Sequence, residues 1–233
     1  MEYNYRDPRV ASFSRWRKIS KNSGKLSILR MMEYEALEAI EISGAVLDVG
    51  GGQNAKYLKY LPKDIAVRSV NIDPAMAPTH LVEPGGSLPF SDAEFDHVIC
   101  LNTLEHIYDA KQVLEEIYRV LKPSGTVHVM VPFMFRIHGH PDDFFRATPS
   151  WWRETFGRVG FSSLTLNPLV WGRSTTGAVV PGKSGPFKQV RLHIAALLDV
   201  FSAKIFFSGR FYDGKKGMSI VNTSPGWHMV ATK

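Results

Sequence analysis

The stretch AVLDVGGGQN, residues 45–54, sets a short apolar run directly in front of three consecutive glycines. An apolar run bounded by glycine predicts a buried strand followed by a tight turn. A second apolar run, VRSVNID (67–73), ends in Asp73, about 20 residues after Gly52. Glycines let the backbone approach a ligand closely, and a carboxylate at this place can accept hydrogen bonds from both hydroxyls of a ribose. Together they predict a site for a ribose-containing cofactor.

Strand and helix patterns alternate along the chain on both sides of this stretch. Apolar residues at helical spacing predict one helix within 25–40 and another over 109–125. Further strands are predicted at 80–83, 95–101, 126–133 and 159–170. Alternation at this spacing implies parallel pairing through right-handed crossovers, and therefore an α/β fold with a doubly wound sheet.

The composition limits the expected cellular location of the protein and the charge of its binding partners. The chain has 233 residues, a formal net charge of +6 and one cysteine, Cys100, so an internal disulfide is excluded. A charged start without an apolar stretch behind it argues against a secretory signal, and apolar runs are too short to span a membrane. We therefore expect a cytoplasmic protein with anionic partners, which could be nucleic acid, acidic headgroups or phosphorylated metabolites.

Four motifs stand in a diagnostic order: VLDVGGG (46–52), VNIDPA (70–75), LPFSDAEFDHVICLNTLEHI (88–107) and IYRVLKPSGTVHVMVPF (117–133). They resemble the class I S-adenosylmethionine-dependent methyltransferases, in particular the ubiquinone and menaquinone biosynthesis branch with its type 11 methyltransferase domain. The resemblance implies a Rossmann-like sheet of seven strands with an antiparallel last strand, here 225–233. It also implies S-adenosylmethionine as the cofactor.

The resemblance assigns cofactor roles to individual residues. Gly50 and Gly52 would line the methionine and ribose part, Asp48 would orient the turn and the amino group, and Asp73 would hold the ribose hydroxyls. Contacts with the adenine and the methyl group would come from Met76, Leu88, Leu101 and Asn102, with the backbone amide region at Leu88 beside the adenine. Asn54 replaces the third glycine of the usual pattern and Ser124 the first of a glycine pair, and neither change removes a required charge.

The segment PFMFRIHGHPDDFFRATPSWW (132–152) resembles a subgroup of bacterial methyltransferases linked to glycan and secondary-metabolite assembly. A histidine whose pKa lies near neutrality can remove the proton of a hydroxyl acceptor as it attacks the methyl group. His138 is the first candidate for this base and His140 the second, with Asp143 orienting an imidazole. Candidate substrate contacts are His106, Phe133 and Arg146.

Two alternatives concern the same segment. Asp143 and Arg146 are three residues apart and could form an ion pair that ties the loop to the following helix. The start of that helix is predicted by Thr148, Pro149 and Ser150. A divalent metal on His138, His140, Asp142 and Asp143 is the other alternative, although hard cations prefer carboxylates from several loops. We predict no metal.

We divide the chain into an N-terminal arm and helix (1–40) and a methyltransferase domain (41–233) with an insert at about 171–224. Within the insert, 171–186 is predicted to be a loop and 187–207 a helix that is apolar around most of its circumference. This helix either packs on the sheet or in a homodimer interface, or lies on a membrane surface near a lipid-linked substrate. In the last case Lys188, Arg191 and Lys204 would face headgroups and the protein would be peripheral to the membrane.

Three function classes follow. The first is methyl transfer to a small-molecule or glycan acceptor, with a hydroxyl as the acceptor group. The second is nucleic-acid methylation, which the charge favours but the ending LNTLEH (101–106) does not, because it lacks the Asp/Asn-Pro-Pro-aromatic motif of exocyclic-amine methylation. The third is S-adenosylmethionine binding without catalysis.

Overall fold

The computed structural model describes residues 1–21, 26–139, 141–180, 187–206, 209–210, 216–217 and 219–233. The strands are β1 (Glu2–Tyr5), β2 (Ala45–Val49), β3 (Ala66–Asn71), β4 (His80–Leu81), β5 (Phe95–Leu101), β6 (Leu121–Pro132), β7 (Ser163–Leu169), β8 (Gly209–Arg210), β9 (Lys216–Gly217) and β10 (Gly226–Thr232). The helices are α1 (Phe13–Lys21), α2 (Ile28–Leu37), α3 (Ala110–Val120), α4 (Pro149–Val159), α5 (Arg173–Val179) and α6 (Lys188–Phe206).

Eight of these strands form one sheet in the order β1-β7-β10-β6-β5-β2-β3-β4. Strand β10 runs antiparallel to β6 and β7, and the other neighbours are parallel. The doubly wound α/β sheet with its antiparallel last strand is thereby confirmed. The sheet has one strand more than the seven predicted, because residues 2–5 pair in parallel with β7, from Glu2 opposite Ser163 to Tyr5 opposite Leu166.

Helices cover both faces of the sheet. Alternate residues of each strand point to opposite faces, so Leu47 packs in the core formed with α3 and α4, while Val46 packs in the core formed with α2. Strands buried on both faces read as continuous apolar runs, and β2 therefore has no polar side other than Asp48.

The boundary between α3 and β6 differs from the prediction of a helix to residue 125. Helix α3 ends at Val120, and Leu121 is already extended, with φ −69° and ψ 137°. Leu121 pairs with Phe95, and the register then shifts so that Thr126 lies opposite His97. Pro123 cannot continue a helix, and Ser124 takes a positive φ of 63° within this irregularity. The residues read as a helix stop are thus part of a bulged strand.

The insert contains α5, where the sequence predicted a loop over 171–186. The carboxylate of Asp199, on α6, accepts hydrogen bonds from the backbone amides of Ser174 (2.9 Å) and Thr175 (2.8 Å). Asp199 lies 25 residues after Ser174 in the sequence, so the local sequence around α5 does not predict this cap. Residues 181–186 lie outside the described part.

The prediction of a helix over 187–207 is confirmed by α6. Ala195, Ala196 and Ala203 are buried on one side, whereas a row of large apolar side chains is exposed on the other: Phe187, Val190, Ile194, Leu198 and Phe201. Across the residues described here, no helix is both long and apolar enough to cross a bilayer.

Candidate active site

The glycine turn after β2, residues 50–52, is closely packed against neighbouring parts of the chain. Gly50 has a φ of +88°, and a Cβ there would lie 2.1 Å from Oγ1 of Thr103. A Cβ on Gly52 would lie 2.1 Å from the backbone oxygen of Met76. Both positions therefore require glycine: Gly50 for its conformation and the close approach of the Thr103 side chain, and Gly52 for the close approach of the Met76 backbone.

Asp48 lies buried beneath this turn, with a relative exposure of 1%. Its Oδ2 accepts a hydrogen bond of 2.7 Å from the hydroxyl of Tyr57. Burial raises the pKa of Asp48 to about 7, and the Tyr57 hydrogen bond opposes this rise. The second oxygen, Oδ1, has no hydrogen-bond partner among the described residues. A buried acceptor of this kind suits the ammonium group of a ligand.

The end of β3 is tied to the same turn. The side-chain amide of Asn71 donates to the carbonyl oxygens of Gly50 (2.7 Å) and Gly51 (3.1 Å), and its Oδ1 accepts from the amide of Asp73 (2.9 Å). Asp73 caps the short 3-10 turn Pro74–Met76 through a hydrogen bond of 2.8 Å from the amide of Ala75 to Oδ1. The structure thus brings Asp48, the glycines, Asp73 and Met76 together at the carboxyl ends of β2 and β3, as a nucleotide-type cofactor requires.

Tyr57 and Asn71 were not predicted. Asn71 could have been found, because it is a polar residue at the end of a predicted strand, two residues before Asp73. Tyr57 gave no such signal, since only the folded chain places its hydroxyl against Asp48.

The backbone groups of Leu88 form hydrogen bonds with side chains of α3. Its amide donates to a carboxylate oxygen of Glu116 (2.8 Å), and its carbonyl accepts from the guanidinium of Arg119 (3.0 Å). The side chain is buried in the core beside α3. The contact of the backbone around Leu88 with the adenine stays a prediction.

The end of β5 forms the opposite wall of the turn. Leu101 is buried, and Asn102 adopts a positive φ of 51° while its amide donates to Met130 on β6 (2.8 Å). Thr103, whose hydroxyl donates to the carbonyl of Val49 (3.2 Å), packs against Gly50. The chain then turns through Leu104–His106.

Three titratable side chains meet beside this wall. Nε2 of His106 lies 3.7 Å from Oε1 of Glu105, and Nε2 of His138 lies 4.0 Å from the same oxygen. The two imidazole rings are 5.1 Å apart in a T-shaped arrangement. Glu105 is buried, and this burial raises its pKa to about 8, while burial lowers the pKa of His138. We name these three residues the Glu-His-His cluster.

Asp143 and Arg146 hold the segment that carries His138. The guanidinium donates to both carboxylate oxygens, through Nη1 to Oδ1 and through Nη2 to Oδ2. Oδ2 also accepts from the backbone amide of His138 (2.8 Å) and lies 3.4 Å from its Nδ1. Burial acts to raise the pKa of Asp143, but the hydrogen bonds from Arg146 and His138 outweigh it and lower that pKa. Asp143 thus contacts His138 and also holds the loop through its pair with Arg146.

Two other predicted residues lie away from the cluster or outside the described chain. The ring of Phe133 packs 5.7 Å from that of Trp227, and its amide donates to Pro225 (2.7 Å). His140 lies outside the described residues. The place of Glu105 between two histidines becomes visible only in the fold.

Comparisons with known proteins agree with this geometry. Residues 47–129 match the family model described as "Methyltransferase domain". A demethylmenaquinone methyltransferase of Lactobacillus johnsonii is 51% identical over 43 residues, which are 18% of this chain and 18% of that protein. The putative methyltransferase YrhH of Bacillus subtilis is 24% identical over 127 residues, 47% of this chain and 70% of that protein.

A solved structure extends the likeness to the fold as a whole. It is an S-adenosylmethionine-dependent methyltransferase of Thermotoga maritima, titled a possible histamine N-methyltransferase, with a TM-score of 0.54 at 14% identity over 95% of this chain and 94% of that one. The match to the first curated relative covers less than a fifth of that protein's length.

The fold is that of the class I S-adenosylmethionine-dependent methyltransferases. Residues 47–129, which include the glycine turn, are similar to a methyltransferase domain. The cofactor of this class is S-adenosylmethionine.

Proposed function

We propose that the protein transfers a methyl group from S-adenosylmethionine to a hydroxyl of a small-molecule or glycan acceptor. The observation that supports a hydroxyl acceptor is the position of the Glu-His-His cluster next to the glycine turn. Thr103 packs against Gly50 of that turn, and the short turn that follows Thr103 carries Glu105 and His106. Proton-accepting groups thereby stand beside the carboxyl edge of the sheet, where ligands of open α/β sheets bind.

Each residue has a role in this proposal. S-adenosylmethionine supplies the electrophilic methyl group when it is bound. Asp48, Gly50 and Gly52 hold its amino-acid part, and Asp73 holds the ribose, with Met76 against the adenine. His138 removes the proton of the acceptor hydroxyl, and His106 contacts the acceptor.

The chemistry of His138 supports this choice of base. Burial lowers the pKa of its imidazole, so the ring is neutral at pH 7 and can accept a proton. Asp143 stabilises the imidazolium that results, because its carboxylate lies 3.4 Å from Nδ1. Arg146 orients Asp143 through its two hydrogen bonds.

The test is formation of S-adenosylhomocysteine and of a methylated product from methyl-labelled S-adenosylmethionine. Acceptors would be phenols, catechols and glycosides, with amines and RNA as comparison sets. We expect a hydroxyl acceptor to be methylated, and His138→Gln to lower the rate by about 100-fold or more while S-adenosylmethionine affinity stays within about twofold.

The matched control is His80→Gln, a change at an exposed histidine on β4, which should leave the rate unchanged. Methylation of amines or RNA alone would contradict the acceptor class. Cofactor binding without turnover on any acceptor would favour the non-catalytic alternative. A methyl-transfer rate in His138→Gln equal to that of the wild type would show that His138 is not the base.

A further inference from the structure

The Glu-His-His cluster presents three ligand atoms to one point. One carboxylate oxygen of Glu105 and one nitrogen each of His106 and His138 lie within 4.8 Å of one another. Metal–ligand lengths of about 2.1 Å at tetrahedral angles put neighbouring ligand atoms about 3.4 Å apart. The observed separations of 3.7 and 4.0 Å from Glu105 therefore need to close by only a few tenths of an ångström.

The far nitrogen of His106 is anchored on an acceptor. Its Nδ1 makes a hydrogen bond with the carbonyl oxygen of Asp142. A carbonyl can only accept, so the proton of neutral His106 is on Nδ1 and the lone pair is on Nε2, the atom that faces Glu105.

His138 has a similar surrounding. Its Nδ1 lies 3.4 Å from both Oδ2 of Asp143 and the carbonyl oxygen of Arg136, and 3.3 Å from Nη2 of Arg146. Because that guanidinium nitrogen already donates to Asp143, the two oxygens favour a proton on Nδ1. Histidines that bind metals characteristically donate their other nitrogen to a carboxylate or a carbonyl in this way.

The carboxylate between the histidines has no compensating donor. Glu105 is 2% exposed, and neither of its oxygens has a hydrogen-bond partner among the described residues. The ionised form of a buried carboxyl group without a donor is costly, so such a group keeps its proton or pairs with a cation. A cation at the meeting point of the three ligand atoms would remove this cost.

We propose that Glu105, His106 and His138 bind a divalent transition-metal ion, with Zn²⁺ as its probe. Two imidazoles and one carboxylate suit such ions and leave coordination positions open. The donors differ from the set considered from the sequence, since Asp142 and Asp143 contact the histidines and do not face the ion.

The ion's role rests on the proposed function. An open position would take the acceptor hydroxyl and lower its pKa, so that the hydroxyl would lose its proton to solvent water. The ionised oxygen would then bond to the methyl carbon as the bond from that carbon to the sulfonium sulfur breaks, leaving S-adenosylhomocysteine. His138 would then be a ligand in the metal-bound protein, and the base only in the metal-free one.

The experiment is a calorimetric titration of untagged, chelator-stripped protein with Zn²⁺, repeated with Co²⁺ and read by visible absorption. We expect one ion per chain. Glu105→Gln, His106→Ala and His138→Ala should each weaken Zn²⁺ binding by at least about 100-fold, and Asp143→Asn by about 10- to 100-fold. His80→Ala is the control and should bind as the wild type does.

Circular dichroism and thermal melts show which variants remain folded. Glu105→Gln should fold, because it replaces the buried carboxyl group by a neutral group of the same size. Wild-type affinity equal to that of Glu105→Gln would overturn the site. Zn²⁺ binding without methyl transfer would leave the site standing and the proposed function refuted. Full methyl transfer by chelator-stripped protein that binds no Zn²⁺ would refute the metal site and leave the proposed function standing.

Discussion

At the scale of single residues, Asp48, which we propose as a cofactor contact, carries a cost for the stability of the fold. Its carboxylate is buried under the glycine turn, where one oxygen has the Tyr57 hydroxyl as its donor. Because burial raises the pKa of Asp48 to about 7, the folded protein keeps a proton that the unfolded chain releases near pH 4. Stability from this proton is complete below about pH 4 and is lost as the pH rises through 7.

Asp48→Asn should remove this pH dependence. Without ligand, the stability of the variant relative to the wild type should rise by about 3 kcal/mol from pH 5 to pH 8, at about 1.4 kcal/mol for each pH unit between pH 5 and the folded pKa of about 7. Urea unfolding of both proteins at the two pH values measures the difference. Parallel stability curves would contradict a raised pKa for Asp48.

Residues differ in how far the sequence alone could assign them. Asp48, Gly50, Gly52 and Asp73 were found because each occupies a fixed place relative to a strand end. Glu105 could not be assigned its surroundings, since His138 reaches it from another loop, 33 residues further on by residue number. Spacing along the chain identifies turn residues well and cross-loop clusters poorly.

At the scale of elements, the segment between β6 and α4 contains the charged pair of Asp143 and Arg146. Arg146 bridges both oxygens of Asp143, and its side chain is 19% exposed against 4% for the carboxylate. A fork-to-fork pair of this kind fixes geometry more strongly than a lysine could. The position of His138 therefore depends on Arg146.

Arg146→Met should free this segment by leaving Asp143 buried without its partner. We expect the free energy of unfolding to fall by about 2–4 kcal/mol, slightly less than for a fully buried pair. We also expect faster proteolysis within residues 133–147. Urea unfolding and limited proteolysis test this, with Arg158→Met, whose pair with Glu154 is exposed, as the control. Equal losses in the two variants would contradict the role of Arg146.

Elements were predicted best where the apolar pattern is continuous. Strands β2 and β5 begin and end where the sequence placed them, at 45–49 and 95–101. The predictions failed where a distant partner decides the conformation: β1 exists through β7, α5 is capped by Asp199, and α3 gives way at Leu121 to pairing with Phe95. Local propensity contains none of these contacts.

At the scale of the molecule, the sheet order brings several of the proposed cofactor residues together at the carboxyl ends of neighbouring strands. Strands β2, β3 and β5 are neighbours, and their carboxyl ends carry the glycine turn, Asp73 and Asn102. This arrangement followed from four motifs in order, because the order of parallel strands in the class is fixed. The additional strand and the insert are the parts that the motifs do not cover.

The most direct measurement is a calorimetric titration with S-adenosylmethionine and with S-adenosylhomocysteine, comparing the wild type, Asp73→Ala and the control Asp64→Ala at an exposed aspartate. The account predicts binding of both ligands to the wild type and to Asp64→Ala. Asp73→Ala should bind about 100-fold more weakly, because the ribose loses hydrogen bonds to a charged acceptor. Equal affinity in Asp73→Ala, or no binding to the wild type, would contradict the site described at the end of AVLDVGGGQN (45–54).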